Sequence, residues 1–193
     1  HSWIEFNPVD GHLYGIVDQG VAKIDFSGDE ARPEFFVNSG VKSPHRIDFD
    51  SKGNLYLYDH AADRRQVYVY DRSGKMTHTI GKRGFPKPGK WDSSYIVDAF
   101  AMTVGGDNIY FNYGYDNPRR TIHFKTDGTF VNDFLGNTYY GGGGTLDRYD
   151  STKAFYMDMV FHIDREKNRS QIVGMREFDL SATSMWGRPH RID

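Results

Sequence analysis

Histidine, arginine and tyrosine recur in this chain in short clusters, and together they suit work on an acidic ligand. Arginine can pair with a carboxylate through two parallel N–H donors. Histidine or tyrosine within hydrogen-bond reach of a substrate can move a proton. The clusters are His45-Arg46, His60 with Asp63-Arg64, Tyr113 with Tyr115-Asp116 and Arg119, His162, and His190-Arg191. Of these, His60, Tyr115, Arg119 and His162 are the candidate catalytic groups, and His45, Arg46, Asp63, Arg64, Tyr113, Asp116, His190 and Arg191 are the candidate ligand-binding groups. The loop Tyr113-Gly114-Tyr115-Asp116-Asn117-Pro118-Arg119-Arg120 is the most site-like stretch, because it joins two aromatics to arginine, as binding hot spots do. Asp-Asn-Pro is also ordinary turn chemistry, so the same loop reads as plain surface.

Several of these side chains have a structural reading as well. The pentapeptide Pro44-His45-Arg46-Ile47-Asp48 returns unchanged as Pro189-His190-Arg191-Ile192-Asp193, which places His45 and His190 at one repeat position. Arg65, Arg120 and Arg169 each precede a strand-like run, at Gln66-Val67, Thr121-Ile122 and Ser170-Gln171-Ile172. A residue set by the repeat is expected to serve the scaffold. Metal and cofactor sites are not expected. Asp147, Asp150, Asp158 and Asp164 are too irregularly spaced for a calcium loop, and no Lys-Ser/Thr follows Gly141–Gly144, as a phosphate loop requires. Those glycines read as a flexible connector.

The repeat also shows which elements must carry these groups. Apolar-Tyr pairs or their equivalents stand at Leu13-Tyr14, Leu55-Tyr56, Ile109-Tyr110 and Phe155-Tyr156, steps of about 48 residues. Each follows an inner run and a turn: Trp3–Phe6 with Asp10-Gly11, Arg46–Phe49 with Lys52-Gly53, and Ala101–Val104 with Gly105-Gly106. A second hairpin comes downstream, at Ala22–Phe26, at Gln66–Tyr70 with Met76–Ile80, and at Thr121–Phe124 with Phe130–Phe134. Period-two alternation around glycine turns is the mark of hairpins. Four strands per unit at this period predict an all-β fold, a β-propeller of about four blades of four antiparallel strands plus the start of a fifth, as part of a larger ring. The approximate units are 1–40, 41–90, 91–140 and 141–188 within a single domain over 1–193. In the fourth, only Thr183–Trp186 offers itself as an outermost strand. The closing Pro189–Asp193 belongs at the head of an inner strand, and Trp3–Phe6 already fills that place in the first unit. A second chain or a further segment is therefore expected to complete the ring; the alternative is a compact four-bladed ring with its last segment along an edge.

The unit from Ser43 to Gly89 resembles an NHL repeat. The resemblance rests on Ser43-Pro44-His45-Arg46-Ile47-Asp48-Phe49-Asp50-Ser51-Lys52-Gly53-Asn54-Leu55-Tyr56-Leu57-Tyr58-Asp59 and Arg65–Asp71. Ile80-Gly81-Lys82-Arg83-Gly84 and Pro88-Gly89-Lys90-Trp91 resemble the linker between such blades. It covers about a quarter of the chain, and implies a relative of the six-bladed TolB-like propellers. Most propellers of that kind are binding platforms, and a minority carry metal-dependent sites in the central channel. The resemblance implies that loops entering each inner strand and loops joining the second strand to the third share one functional face.

Bulk composition narrows the partners. A net charge of −2 and a pI near 6.5 give no electrostatic footprint for nucleic acid. No stretch approaches the roughly 18 apolar residues of a membrane span, so membrane insertion is not expected. The chain has no cysteine, which excludes disulfides and thiolate chemistry and is compatible with a secreted or periplasmic setting. The expected function is an extracytoplasmic propeller that binds a protein or polysaccharide ligand on its upper loop face. The alternative is a polysaccharide lyase or glycoside hydrolase with a His/Tyr/Arg site near the central axis. A glycosidase needs two carboxylates about 5–9 Å apart, and no such pair stands out.

Overall fold

Aspartates punctuate the strand-like runs and set the hairpins. The carboxylate of Asp25 accepts the N–H of Ser27, Asp50 that of Lys52, Asp71 that of Ser73, Asp127 that of Thr129 and Asp150 that of Thr152. Each is a side-chain mimic of a backbone turn. The computed structural model describes residues 4–28, 30–112, 119–135, 145–156 and 159–175, and every regular element among them is a strand. No helix among them is long and apolar enough to cross a membrane.

The first blade is β1 (Ile4–Phe6), β2 (Leu13–Val17), β3 (Gly20–Asp25) and β4 (Arg32–Val37), hydrogen-bonded in chain order. The second is β5 (Pro44–Phe49), β6 (Leu55–Asp59), β7 (Gln66–Tyr70) and β8 (Met76–Ile80), again an antiparallel meander. After β9 (Gly89–Lys90) comes the third, β10 (Ala101–Gly105), β11 (Asn108–Asn112), β12 (Arg120–Lys125) and β13 (Phe130–Leu135). The fourth is β14 (Thr145–Leu146), β15 (Lys153–Tyr156), β16 (Met159–Asp164) and β17 (Arg169–Met175), and β9 pairs onto the outer edge of β17. Four successive four-stranded meanders make this an all-β fold of β-propeller type.

The chain forms two compact units. One holds the described residues up to Phe85 and from Ser93 to Leu135, and so the first three blades. The other holds Pro86–Asp92 and the fourth blade. The linker after the second blade falls in the later unit.

Within the first unit, the innermost strand β5 neighbours β1 and β2 on one side and β10 on the other. The second blade is sandwiched, and the alternation of its strands says how. Leu55, Leu57, Tyr68 and Tyr70 pack toward the first blade with Tyr14, Val21, Ile47 and Phe49. Tyr56, Tyr58, Val67 and Val69 pack toward the third with Ile96, Met102, Ile109, Phe111, Ile122 and Phe124. All five residues of β6 are buried for this reason. A hydrogen bond crosses the same seam: Val104 N donates to the side-chain Asp48 Oδ2 at 2.6 Å, although burial pushes the Asp48 carboxyl above its ordinary pKa.

The fourth blade departs from expectation. Its apolar run 155–163 is shared between β15 and β16, which pair antiparallel with Tyr156 opposite Met159. His162 therefore lies within β16, facing Lys153 and Gln171 across the sheet, and not in a loop. Arg169 opens the fourth strand of its sheet, whereas Arg65 and Arg120 stand at the start of the third in theirs. Arg169–Met175 supplies the outermost meander strand in place of Thr183–Trp186, which lies outside the described residues. So do the Gly141–Gly144 connector and the second pentapeptide, Pro189–Asp193.

Candidate functional site

Three segments meet at one rim of the second blade. Pro44 opens β5, so His45 stands at the mouth of the innermost strand, and β6 ends at Asp59, which puts His60 first in the loop to β7. Asp59 is fully buried and joins the two loops. Its carboxylate accepts the N–H groups of Lys42 at 2.8 Å, Ser43 at 3.0 Å and Ala61 at 3.0 Å. The imidazole rings of His45 and His60 are thereby held 4.7 Å apart and tilted by 37°. Beneath them Tyr58 turns its ring edge-on to both, and its hydroxyl donates to Ile96 O at 3.4 Å.

The third segment, 93–100, leads into β10 and brings Asp98. Two recurrent arginines hold it. Arg65, in a left-handed backbone conformation at φ 47°, donates to Val97 O and lies over the Phe85 ring at 4.2 Å. Arg120, almost fully buried, donates to Ser93 O at 2.7 Å and Tyr95 O at 3.2 Å and pairs with Asp133 at 2.6 Å. A buried guanidinium needs such a full set of acceptors. Asp98 Oδ1 comes to 3.3 Å from His60 Nδ1, off the line that a hydrogen bond requires. His45, His60 and Asp98 each offer one potential metal-ligand atom, and these atoms lie within 4.8 Å of one another.

Electrostatics sharpen the picture. Burial, with the neighbouring Arg46 and His60 charges, pushes the His45 pKa down to about 4, against opposition from Asp98 and the Ala99 backbone. His45 is therefore neutral near pH 7. Burial pushes Asp98 up, but His60, the Ala99 N–H and Arg65 together outweigh it and hold the carboxyl below its usual range. Arg65 Nη2 lies 3.5 Å from His60 Nε2. A guanidinium only donates, so this contact suits an accepting Nε2. The arrangement can accept a proton, hold an anionic group or ligate a cation.

The remaining expected residues are distributed as follows. Arg46 is buried, and its guanidinium donates to His45 O at 2.6 Å and to Phe100 O, so it clamps the rim from inside. Asp63 is exposed and pairs with Lys42 at 2.6 Å. Arg64 donates to Gly40 O at 3.0 Å and Tyr68 Oη at 2.9 Å. Arg119 is exposed beside β12. His162 belongs to the second unit. Tyr113, Tyr115, Asp116, His190 and Arg191 lie outside the described residues. The cluster therefore gathers His45 and His60 from the expected set and adds Asp98, which sequence reasoning missed. A signal was present: setting Ile96-Val97-Asp98-Ala99 against Val41-Lys42-Ser43-Pro44 puts Asp98 in the entry loop of the adjacent blade. The expectation of no metal site rests on the spacing of the aspartates at 147–164, and a cluster gathered from three segments has no such spacing to read.

No protein-family model matches the chain, and no curated protein is similar to it. Among solved structures it is similar to one from a nidogen/laminin complex, with TM-score 0.48 and 16% identity over 88% of this chain and 63% of that one. A putative 6-phosphogluconolactonase from Bacteroides uniformis ATCC 8492 gives TM-score 0.47 and 13% identity over 88% and 52%. Virginiamycin B lyase from Staphylococcus aureus gives 0.44 and 14% over 88% and 54%. The chain spans 52% to 63% of the length of these three structures.

Proposed function

We propose that this chain is a binding module that takes a carboxylate-bearing glycan, or an acidic protein segment, on the loop rim of its second and third blades. The reading places it outside the cytoplasm, and takes the blade over residues 43–90 as one of NHL type. One observation carries it. The segments 40–46, 59–65, 81–85 and 93–100 carry six basic residues, Lys42, Arg46, Arg64, Arg65, Lys82 and Arg83, and three acidic ones, Asp59, Asp63 and Asp98. That is a surplus of positive charge on a chain whose net charge is −2. A local field of this kind draws in an anionic partner and weakens with salt. Lys82 and Arg83 are exposed, and Lys82 Nζ sits 5.7 Å from the Tyr95 ring centroid, beside an aromatic surface on which a sugar can stack.

Calorimetric titration with uronic-acid oligosaccharides and their neutral counterparts tests this. Binding of the acidic series alone, weakened by salt and by the combined Lys82→Ala/Arg83→Ala substitution, is the expected result. Equal binding of neutral and acidic sugars, or of none, overturns it.

The second reading, a carbohydrate-active enzyme, draws on the His60–Asp98 approach at 3.3 Å, since a carboxylate beside an imidazole orients and strengthens a general base. Release of unsaturated uronate, followed by ultraviolet absorbance and abolished in His60→Gln, favours it. A flat trace with substrates that bind leaves the module as a binder alone.

A further inference from the structure

The geometry points to a divalent transition-metal site, of the zinc class, formed by His45, His60 and Asp98 at the mouth of the second blade. The ligand is an ion, so this inference stands apart from the identity of any glycan or protein bound at the rim.

Two imidazoles and one carboxylate are a ligand set that borderline cations such as zinc prefer, and three protein ligands leave a further coordination position open. With metal–ligand bonds of about 2.0–2.2 Å, ligand atoms of a four-coordinate site stand roughly 3.2–3.6 Å apart. His60 Nδ1 and Asp98 Oδ1 are already at 3.3 Å. All three ligand atoms fall within 4.8 Å, so closing the site needs about an ångström of side-chain movement, within reach of small χ rotations.

A second observation is independent of that spacing. Nδ1 of His45 and Nδ1 of His60 are both buried, and neither has a hydrogen-bond partner among the described residues. A buried polar atom without a partner costs on the order of 1–3 kcal/mol. Here two fall in one cluster, beside a carboxylate that approaches one of them without making a proper hydrogen bond. A cation placed there would pair with His60 Nδ1 and the Asp98 carboxylate, with one ring nitrogen of His45 as the third ligand. On binding, the ion takes the Nδ1 lone pair of His60, and the contact of Arg65 with Nε2 is given up. Arg65 retains its bond to Val97 O and its place over Phe85, so segment 93–98 stays in position.

The surroundings match a built site more than a chance meeting of side chains. Asp59 fixes the loops that carry His45 and His60, and Arg65 and Arg120 fix the segment that carries Asp98. Supports of this kind orient metal ligands, and their loss typically costs about 10–100-fold in affinity.

The test uses the full chain stripped with chelator. Zinc sulfate titrated by calorimetry should bind with one equivalent, and cobalt(II) in its place should give the strong visible bands of a four- or five-coordinate ion. Asp98→Asn and His45→Gln should each weaken zinc by about 100-fold or more, with the far-ultraviolet β signature retained. His123→Gln, a histidine on the third blade away from the cluster, should leave the zinc affinity unchanged. The inference is overturned by no stoichiometric zinc uptake, by uptake that Asp98→Asn leaves intact, or by only the weak bands of six-coordinate cobalt. The cobalt spectrum of the unsubstituted chain decides even where a variant does not fold. Failure here leaves the glycan titration untouched, and the reverse also holds.

Discussion

Three tyrosines show what burial does to a single ionisable group in this chain. Burial, aided by a hydrogen bond to Asp10 at 2.7 Å, pushes the Tyr14 phenol up to about 12, and burial likewise takes Tyr56 and Tyr70 to about 12. Each folded-state value lies above the ordinary value near 10. The unfolded chain therefore sheds these protons first as pH rises, and the folded chain resists. Their stabilising contribution is whole below pH 10 and is lost between pH 10 and about 12. Urea midpoints measured at pH 9 and pH 11 should show the later one lower, with a share of the tyrosinate absorbance appearing only on unfolding. Replacing Tyr14 with Phe should flatten that dependence. A midpoint unchanged over the interval would mean that these phenols are in contact with water. The histidines tell the complementary story of what can be read in advance. His45 and His60 stood out in the sequence because imidazole beside arginine is conspicuous chemistry. Asp98 did not, because it lies 38 residues after His60 in the sequence, and only the packing of neighbouring blades brings the two together.

Strands and turns were the most legible level, for a physical reason. Hairpins are local, and a glycine after an aspartate turn states its own geometry. In the second blade the boundaries of β5 to β8 follow the alternation almost residue for residue. Which neighbour each side chain faces was not legible, since Leu55 and Tyr56 look equally apolar and only the blades on either side distinguish them. The fourth blade misled for a related cause: Phe155–Ile163 carries no glycine or proline to announce that it divides between β15 and β16, so the outermost strand was expected one run too late. Gly81 tests the fit between turn and seam. Its φ of 84° is one that side chains rarely adopt, and an added Cβ would stand 2.6 Å from Ile96 Cδ1. Gly81→Ala should cost about 1–3 kcal/mol in denaturant unfolding, from strain and overpacking together. Gly11→Ala, with nothing within 4 Å, isolates the strain alone and should cost less. Equal costs would show that the seam at Ile96 gives way freely.

At the scale of the whole molecule, cohesion is unevenly shared. The large fully buried side chains all belong to the first three blades and the segment leading into the third, whereas no apolar side chain among the described residues of the second unit is buried. Opening free energies follow such differences. Amide exchange should therefore protect β6, β7 and β11 most, and β15 to β17 should exchange first under conditions where the global fold persists. Equal protection in the two units would contradict this. The pairing of β9 with β17 adds a consequence in time. Residues 89–90 leave the ribosome long before Arg169–Met175, yet the edge they cover does not exist until the later strand arrives. The fourth sheet cannot be finished co-translationally as the first three can, and its closing pair spans a loop of about eighty residues, a slow kind of contact to form. Maturation of this protein should therefore end at that short clasp, and a chain halted before β17 is made would carry blades already folded and a linker still waiting for its partner.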